Sequence, residues 1–232
     1  AVAAVVLAFV LLLRGSGTVR PDTEMIRIGT GIGERKKYTL PDNTVVWLNS
    51  ATVLEYSGDF QNRREVTLSG EAYFNVTGNP RKPFVVKAGD ARIKVLGTKF
   101  NLAAYEGERM LQASLVEGRI QFENEDTKMD MVPGEVLTYR SNSIMKCKED
   151  VSNYISWMDG KLVYDSIILS DLLARLSSRY GIQIVYSPMK YADYTFKISL
   201  NTDEEIDAIL DAVSILTPIT WTSSGDTIFV KE

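Results

Sequence analysis

The stretch KYTLPDNTVVWL, residues 37–48, decides the fold class. Two runs of β-branched and aromatic residues flank a break at Pro41, Asp42 and Asn43. Proline at the second turn position, followed by a residue that tolerates positive φ, favours a tight hairpin. Similar short runs, cut by turn residues at steps of roughly 8 to 12 residues, continue along the chain. The sequence therefore predicts an all-β domain over residues 26–149, either a β-sandwich or a β-helix-like coil of hairpins.

The pattern changes near residue 150, where strand-like runs alternate with helical periodicity. Ser170 is expected to cap a first helix, and Gly181 to end it in the left-handed conformation. Thr202 and Glu205 have the spacing of a capping box, which predicts a second helix that Pro218 stops. The buried helix positions are expected to be Leu172, Leu173, Leu176 and Tyr180 in the first and Ile206, Ile209, Leu210 and Val213 in the second. Residues 150–232 are thus predicted to form a small α+β domain of two βαβ halves.

The chain opens with thirteen consecutive apolar residues, AVAAVVLAFVLLL, which Arg14 closes. A membrane-spanning helix needs about 20 such residues. Because the run begins at Ala1 without a preceding Met, we expect it to continue upstream, so that residues 1–14 are the end of a transmembrane helix. A signal-peptide hydrophobic region and a buried core helix are the alternatives. Residues 15–25 are predicted to be a polar linker.

The composition excludes several classes of function. With a net charge of −4, the chain lacks the basic surface that sequence-independent nucleic-acid binding requires. It has no histidine and one cysteine, Cys147, which argues against histidine-based nucleophile activation and nearly every zinc site. Cys147 is expected to be an inert thiol. No metal, cofactor or catalytic residue is predicted.

Glu71, in GEAYFNV at residues 70–76, has two interpretations. It could act with Glu55, Asp59 or Glu117 in a carboxylate-dependent glycoside hydrolase, which needs two carboxyls at a defined separation. Alternatively, it lies at the entrance of a strand and accepts hydrogen bonds from turn amides that would otherwise be unpaired. The structural role is favoured. In that case EAYFNV is a core-facing strand with Tyr73 and Asn75 on one face and Ala72, Phe74 and Val76 on the other.

Aromatic residues give two further hypotheses. Trp157 lies where the two predicted domains meet, so we expect it to hold one against the other. Trp47 and Trp221 are expected in the core, although a carbohydrate-binding platform remains an alternative for the tryptophans. In the second domain, the segment YADYTFKIS is either ordinary hairpin packing or an edge strand offered to a partner protein. The partner-binding candidates are Tyr186, Tyr191, Tyr194, Phe196 and Ile198.

Six segments in succession carry a family likeness: GERKKYTLPDNTVVWLNSATVLEY, REVTLSGEAYFNV, PFVVKAG, IKVLGTKFNLAAY, ASLVEGRI and MVPGEVL. In order and spacing they resemble FecR-type anti-sigma regulators. The tail, from SWMDGKLVY through LARLSSRYGIQI to GDTIFV, is similar to the C-terminal domain of these proteins, which resembles the STN (secretin and TonB short N-terminus) fold. The likeness covers about residues 30–232.

The resemblance implies a function without catalysis, cofactor or small-molecule substrate. The chain would be the periplasmic sensor part of an anti-sigma factor in the bacterial inner membrane. Its C-terminal domain would receive the signalling domain of a TonB-dependent outer-membrane receptor. A cytoplasmic segment upstream of Ala1 would act on an extracytoplasmic-function (ECF) sigma factor. A glycoside hydrolase and a carbohydrate-binding β module are the competing interpretations.

Overall fold

The computed structural model describes residues 24–60, 63–106, 110–140, 143–191, 194–201 and 204–231. Two separate clusters of buried apolar side chains divide these residues. We call strands Met25 to Lys148 the β region and the elements from Asn153 to Lys231 the C-terminal region. The anchor predicted for residues 1–14, and the linker up to residue 23, lie outside the described residues.

Within the described residues, thirteen strands of the β region form one continuous sheet. They are β1 (Met25–Gly29), β2 (Lys36–Thr39), β3 (Val45–Leu48), β4 (Val53–Ser57), β5 (Glu65–Asn75), β6 (Phe84–Ala88), β7 (Ala91–Val95), β8 (Lys99–Ala104), β9 (Met110–Glu117), β10 (Ile120–Glu123), β11 (Lys128–Met131), β12 (Glu135–Arg140) and β13 (Ser143–Lys148). The expected mainly β class is confirmed.

The hairpin predicted from residues 37–48 is present. Strands β2 and β3 pair antiparallel. Asn43 takes a φ of 65° in the turn, and the Leu40 amide donates to the Thr44 carbonyl at 2.8 Å. The Asp42 carboxylate accepts from the Thr44 backbone amide at 2.9 Å. Local turn chemistry thus closes this hairpin as the sequence indicates.

The long strand β5 makes the sheet curl. Its first part pairs with β4 and, in parallel, with β6, whereas its second part pairs with β3 and β8. Gly70 lies between the two parts with a φ of 114°, and a Cβ there would be 2.5 Å from Thr52 Oγ1. Only glycine fits this combination of conformation and close approach. The two layers that a sandwich would have are therefore joined through one shared strand.

Aromatic rings fill the space that the curled sheet encloses. Phe74 stacks on Phe100 at 4.9 Å between ring centroids and meets Phe84 edge-on at 6.0 Å. Ala72 and Val76 on the same face of β5 are also buried, so this face of the predicted strand points to the core. Each fully buried large side chain contributes about 1.5–3 kcal/mol to stability.

The C-terminal region contains five strands, two α-helices and two short 3₁₀ helices among its described residues. They are a 3₁₀ helix (Asn153–Asp159), β14 (Lys161–Ile168), α1 (Leu169–Tyr180), β15 (Gln183–Val185), a 3₁₀ helix (Pro188–Tyr191), β16 (Thr195–Asn201), α2 (Ile206–Leu216), β17 (Thr220–Ser224) and β18 (Thr227–Lys231). A small α+β region is therefore present, in the expected order of elements.

The helix boundaries differ from the sequence-based expectations at their N-termini. Helix α1 ends at Gly181, which has a φ of 61°, as predicted. Its N-cap is Ile168, so the expectation that Ser170 caps it is wrong, because β14 runs directly into the helix. Helix α2 has Glu205 itself as N-cap. The proposed capping partner Thr202 lies outside the described residues.

Two small sheets hold the helices. Strands β14 and β16 pair antiparallel, with a shift in register between Tyr164 and Ile167. Strand β15 pairs in parallel with β18, which also pairs with β17. The two strands of each βαβ half therefore lie in different sheets. Leu172, Leu176, Leu210 and Val213 are buried between these sheets and the helices.

Candidate functional site

A network of polar side chains lies where the C-terminal region covers the β region, with the half-buried Glu71 at its centre. The Glu71 carboxylate accepts a hydrogen bond from Asn49 Nδ2 at 2.7 Å and one from Asn101 Nδ2, also at 2.7 Å. Asn49 directly follows β3 and its amide donates to the Glu71 carbonyl, whereas Asn101 lies in β8 opposite Tyr73, so both asparagines come from strands next to β5. Both asparagines are almost completely buried.

The two asparagines pass this network on to the C-terminal region. Asn101 Oδ1 accepts from the indole Nε1 of Trp157 at 3.1 Å. Asn49 Oδ1 lies 3.4 Å from the NH1 group of Arg179, at the end of α1. Glu71 is therefore linked to Trp157 through the side-chain amide of Asn101, and to Arg179 through the side-chain amide of Asn49.

Trp157 is held by contacts of its indole N–H and of its backbone carbonyl. It is 3 % exposed and belongs to the 3₁₀ helix that precedes β14. Its backbone carbonyl accepts from NH1 of Arg35, in the β region, at 2.6 Å. The indole ring and the main chain thus both bind the β region. This is the location expected for a residue that holds the two regions together.

Further polar contacts extend the interface. Ser50 Oγ donates to the Arg179 carbonyl at 2.8 Å. Arg140 pairs with Asp171 at 2.7 Å, and Arg175 NH2 donates to Gln112 Oε1 at 2.7 Å. An apolar contact adds to them, since the Ile32 side chain of the β region packs against Gly181 at the end of α1.

A groove of ≈ 850 Å³ lies beside these contacts, between β12 and β13 on one side and β14 on the other. Its walls carry both apolar and charged groups, among them Met145, Val163 and Asp165. In the part of the chain that the structure describes, no three histidine, cysteine or acidic side chains group as they would around a metal ion.

Cys147 and Tyr154, near this groove, are both held in their protonated forms. The neighbouring Glu149 carboxylate, to which the Cys147 thiol donates at 2.9 Å, raises the pKa of that thiol to about 11, and partial burial adds to the effect. Burial, and then the contact with Glu149, raises the pKa of Tyr154 above its usual value. A thiol with so high a pKa is a weak nucleophile at neutral pH, which supports the expectation that Cys147 is inert.

The carboxylates considered as partners of Glu71 have other contacts. Glu55 lies 3.5 Å from Arg27. Glu117 pairs with Lys99 at 2.6 Å. Glu71 does accept hydrogen bonds, as the structural interpretation expects, but from the side chains of two asparagines and not from turn amides.

Three of the partner-binding candidates have structural contacts. Tyr191 and Ile198 are buried in the apolar cluster of the C-terminal region, at 1 % and 6 % exposure. Tyr186 is half-buried, and its hydroxyl donates to the Ser170 carbonyl at 2.9 Å. Their part in binding a partner stays a prediction.

The remaining two candidates lie next to an open strand edge. Tyr194 and Phe196 are half-buried and pack against the same apolar cluster. Phe196 belongs to β16, which among the described strands pairs with β14 alone. Its second edge is thus open to another strand. Thr195, Lys197 and Ser199 are exposed along it.

The sequence could have indicated part of the Glu71 network. Asn101 stands between Phe100 and Leu102 in an otherwise apolar strand, where asparagine is disfavoured unless it has a specific role. Arg179 gave no comparable signal, because a basic residue in the last turn of a helix is expected from the helix dipole alone.

Fold and contacts together define a two-region protein whose regions have separate apolar cores and are joined by a network of hydrogen bonds around the buried Trp157. The profile described as FecR protein matches residues 26–138, and the profile described as FecR, C-terminal, matches residues 161–230. The chain belongs to the FecR family of anti-sigma factors.

Solved structures agree with this membership. Two crystal structures of a protein assigned as an anti-sigma factor from Parabacteroides distasonis are similar to this chain, each with a TM-score of 0.81 and 30 % sequence identity. The similarity covers 90 % and 89 % of this chain and 99 % of each of those chains. Among curated proteins, none matches this chain.

Proposed function

We propose that this chain is the periplasmic sensor part of an inner-membrane anti-sigma factor. It receives a signal from a TonB-dependent outer-membrane receptor and passes it to an ECF sigma factor on the other side of the membrane. Membership of the FecR family supports this proposal, because these are regulators that control sigma factors. In the described residues, no helix has both the length and the apolar character needed to cross a membrane. The proposal assigns the anchor to residues 1–14.

The C-terminal region is the proposed receiver, with an STN-like fold. The observation that carries this assignment is the open edge of β16, within the stretch that matches the FecR C-terminal profile. A strand of the receptor's signalling domain can add to this edge, because main-chain hydrogen bonds give affinity and alternate side chains give specificity. The exposed residues Thr195, Lys197 and Ser199 would line the added strand.

The proposed mechanism is regulatory and uses no reaction chemistry. Receptor binding changes the state of the C-terminal region, and the β region passes the change to the anchor. Such a relay requires the receptor to bind one state of the chain better than the other. No catalytic residue, cofactor, nucleic acid or small-molecule substrate has a part in it.

Binding to receptor signalling domains from the same genome, measured by isothermal titration calorimetry, tests the proposal. Ser199→Asp places a charge beside the open edge of β16 and is expected to weaken binding at least about tenfold, or roughly 1.4 kcal/mol. Ser224→Asp is the matched control, because Ser224 is an exposed serine on β17, in the other sheet. The control should bind like the parent chain.

Two results would contradict the proposal at different levels. If none of the signalling domains binds the parent chain, the receptor relay is wrong. If a domain binds and both serine variants retain the parent affinity, the receptor uses another surface and the assignment to β16 is wrong.

A further inference from the structure

The contact between the two regions lies outside both of their apolar cores. The apolar clusters of the β region and the C-terminal region share no member among the described residues. The contacts that join the regions include hydrogen bonds and an ion pair, the buried ring of Trp157 and the packing of Ile32 against Gly181. Water can replace the hydrogen bonds and the ion pair when the regions separate. A closed and an open arrangement can therefore differ less in free energy than they would if the two cores were continuous.

Glu71 determines which atoms the β region offers at this contact. An ionised carboxylate only accepts hydrogen bonds, so the amide groups of Asn49 and Asn101 must turn their Nδ2 atoms toward it. Both Oδ1 atoms are then left as acceptors. That of Asn101 faces the C-terminal region, while that of Asn49 accepts from the Ser50 backbone amide at 2.9 Å and lies 3.4 Å from Arg179. The two oxygens thus meet the indole N–H of Trp157 and the guanidinium of Arg179, which only donate.

We infer that Glu71 is a positioning residue that sets a polar latch between the two regions. The polar latch consists of Glu71, Asn49, Asn101, Trp157 and Arg179. Glu71 itself contacts neither Trp157 nor Arg179 in the described network; it orients the two amides as acceptors for them. The polar latch keeps the C-terminal region closed on the β region. Only the final step below, in which a receptor opens the latch, rests on the proposed function.

The variant Glu71→Gln tests this orientation with almost no change in shape. The glutamine side chain has one acceptor and one donor, so it can satisfy only one of the two asparagines. The Ser50 backbone amide holds Asn49 in its present orientation, so the glutamine oxygen should face Asn49 and the glutamine Nε2 should face Asn101. Asn101 must then rotate, which turns its Nδ2 group toward Trp157. Because two donors then meet, one latch contact is lost. The ratio of open to closed molecules should rise at least about tenfold.

A second substitution should reverse the effect. Adding Asn101→Asp to Glu71→Gln exchanges the carboxylate and the amide between neighbouring strands. The introduced carboxylate can accept from the glutamine and from the Trp157 indole at once, while the glutamine oxygen still accepts from Asn49. The double variant should therefore close again. Asn101→Asp alone places two carboxylates side by side and should open the latch.

Distances between two spin labels, measured by double electron–electron resonance, report the arrangement directly. The labels are placed at Lys94→Cys in β7 and Thr222→Cys in β17, both exposed, in a Cys147→Ser background that removes the natural thiol. The parent chain should give one narrow distance distribution. Glu71→Gln should add a second, broader population, and the double variant should remove it. Circular dichroism checks that each variant is folded.

Glu65→Gln is the matched control, because Glu65 lies on the same strand and pairs with Lys87 at the surface. Its distance distribution should equal that of the parent. If folded Glu71→Gln also keeps the parent distribution, the polar latch is wrong. If Glu71→Gln opens the chain and adding Asn101→Asp to that variant does not close it again, Glu71 has a general structural role and the orientation argument is wrong.

Receptor binding separates the polar latch from the proposed function. If the signalling domain binds only the open state, its apparent affinity is proportional to the fraction of open molecules. Glu71→Gln should then tighten the apparent affinity by the same factor by which the spin labels show that this fraction rises. Opening of Glu71→Gln without any receptor binding would contradict the proposed function and leave the polar latch intact. Binding that is equally tight in both chains would show that the receptor does not act through the polar latch.

Discussion

Asp42→Ala removes the charged partner of a buried arginine from the hairpin that decides the fold. The Arg64 side chain is only 3 % exposed, and that of Asp42 11 %. The NH2 and Nε groups of Arg64 lie 2.6 and 2.7 Å from Asp42 Oδ2. After the substitution, the guanidinium remains buried without its counter-charge.

The expected loss follows from the contacts. Removing one partner of a buried ion pair costs about 3–5 kcal/mol. Arg64 keeps two acceptors, the carbonyls of Lys82 at 2.8 Å and Thr77 at 2.6 Å, so the lower end of that range applies. Loss of the hydrogen bonds from Thr44 to the carboxylate adds about 1 kcal/mol. The total, about 4 kcal/mol, is a large part of the roughly 5–15 kcal/mol that stabilises a typical domain.

Urea unfolding followed by far-ultraviolet circular dichroism measures this loss. Asp126→Ala, at an exposed turn position, is the control and should change the free energy of unfolding by less than about 0.5 kcal/mol. Adding Arg64→Met to Asp42→Ala removes the unpaired charge and should recover at least about half of the loss. A loss below about 1 kcal/mol for Asp42→Ala, or no recovery in the double variant, would refute this account of the ion pair.

Two further predictions concern Gly70 and Cys147. Gly70→Ala should lower the free energy of unfolding in urea by at least about 2 kcal/mol, because the φ of Gly70 is positive and the new Cβ meets Thr52. Gly78→Ala is the control and should be nearly neutral, because a Cβ at Gly78 has no atom within 4 Å. Alkylation of Cys147 should rise with pH toward a midpoint at the pKa of about 11, and Glu149→Gln should speed it at neutral pH by lowering that pKa. Equal losses for both glycines, or an unchanged alkylation rate, would contradict them.

Much of the β region could be predicted because its determinants are local. Asn43 marks the first hairpin turn, and the alternation along residues 72–76 gives the two faces of β5. The sequence could not predict that β5 pairs with β4 and β6 along its first part and with β3 and β8 along its second, because the pairings with β3 and β8 join strands that are not consecutive in sequence. The parallel pairing of β5 with β6 joins strands whose side-chain alternation gives no information on direction.

The candidate site could be predicted only in outline. The sequence indicates that Trp157 lies at a junction, because it stands where strand periodicity changes to helical periodicity. It cannot indicate that Asn49 and Asn101 converge on Glu71, since three separate strands supply these side chains. A polar residue inside an apolar strand shows that a partner exists, but only the three-dimensional fold identifies the partner.

The arrangement around Glu71 also bears on whether this carboxylate does chemistry. A general acid or base must exchange a proton with a substrate at hydrogen-bond distance. Both carboxylate oxygens of Glu71 already accept from asparagine amides, and the oxygens of these amides contact Trp157 and Arg179. A substrate that took a hydrogen bond from either asparagine would also disturb the contact with Trp157 or Arg179. The hydrogen bonds of Glu71 therefore favour a role in positioning the two regions over a role in proton transfer.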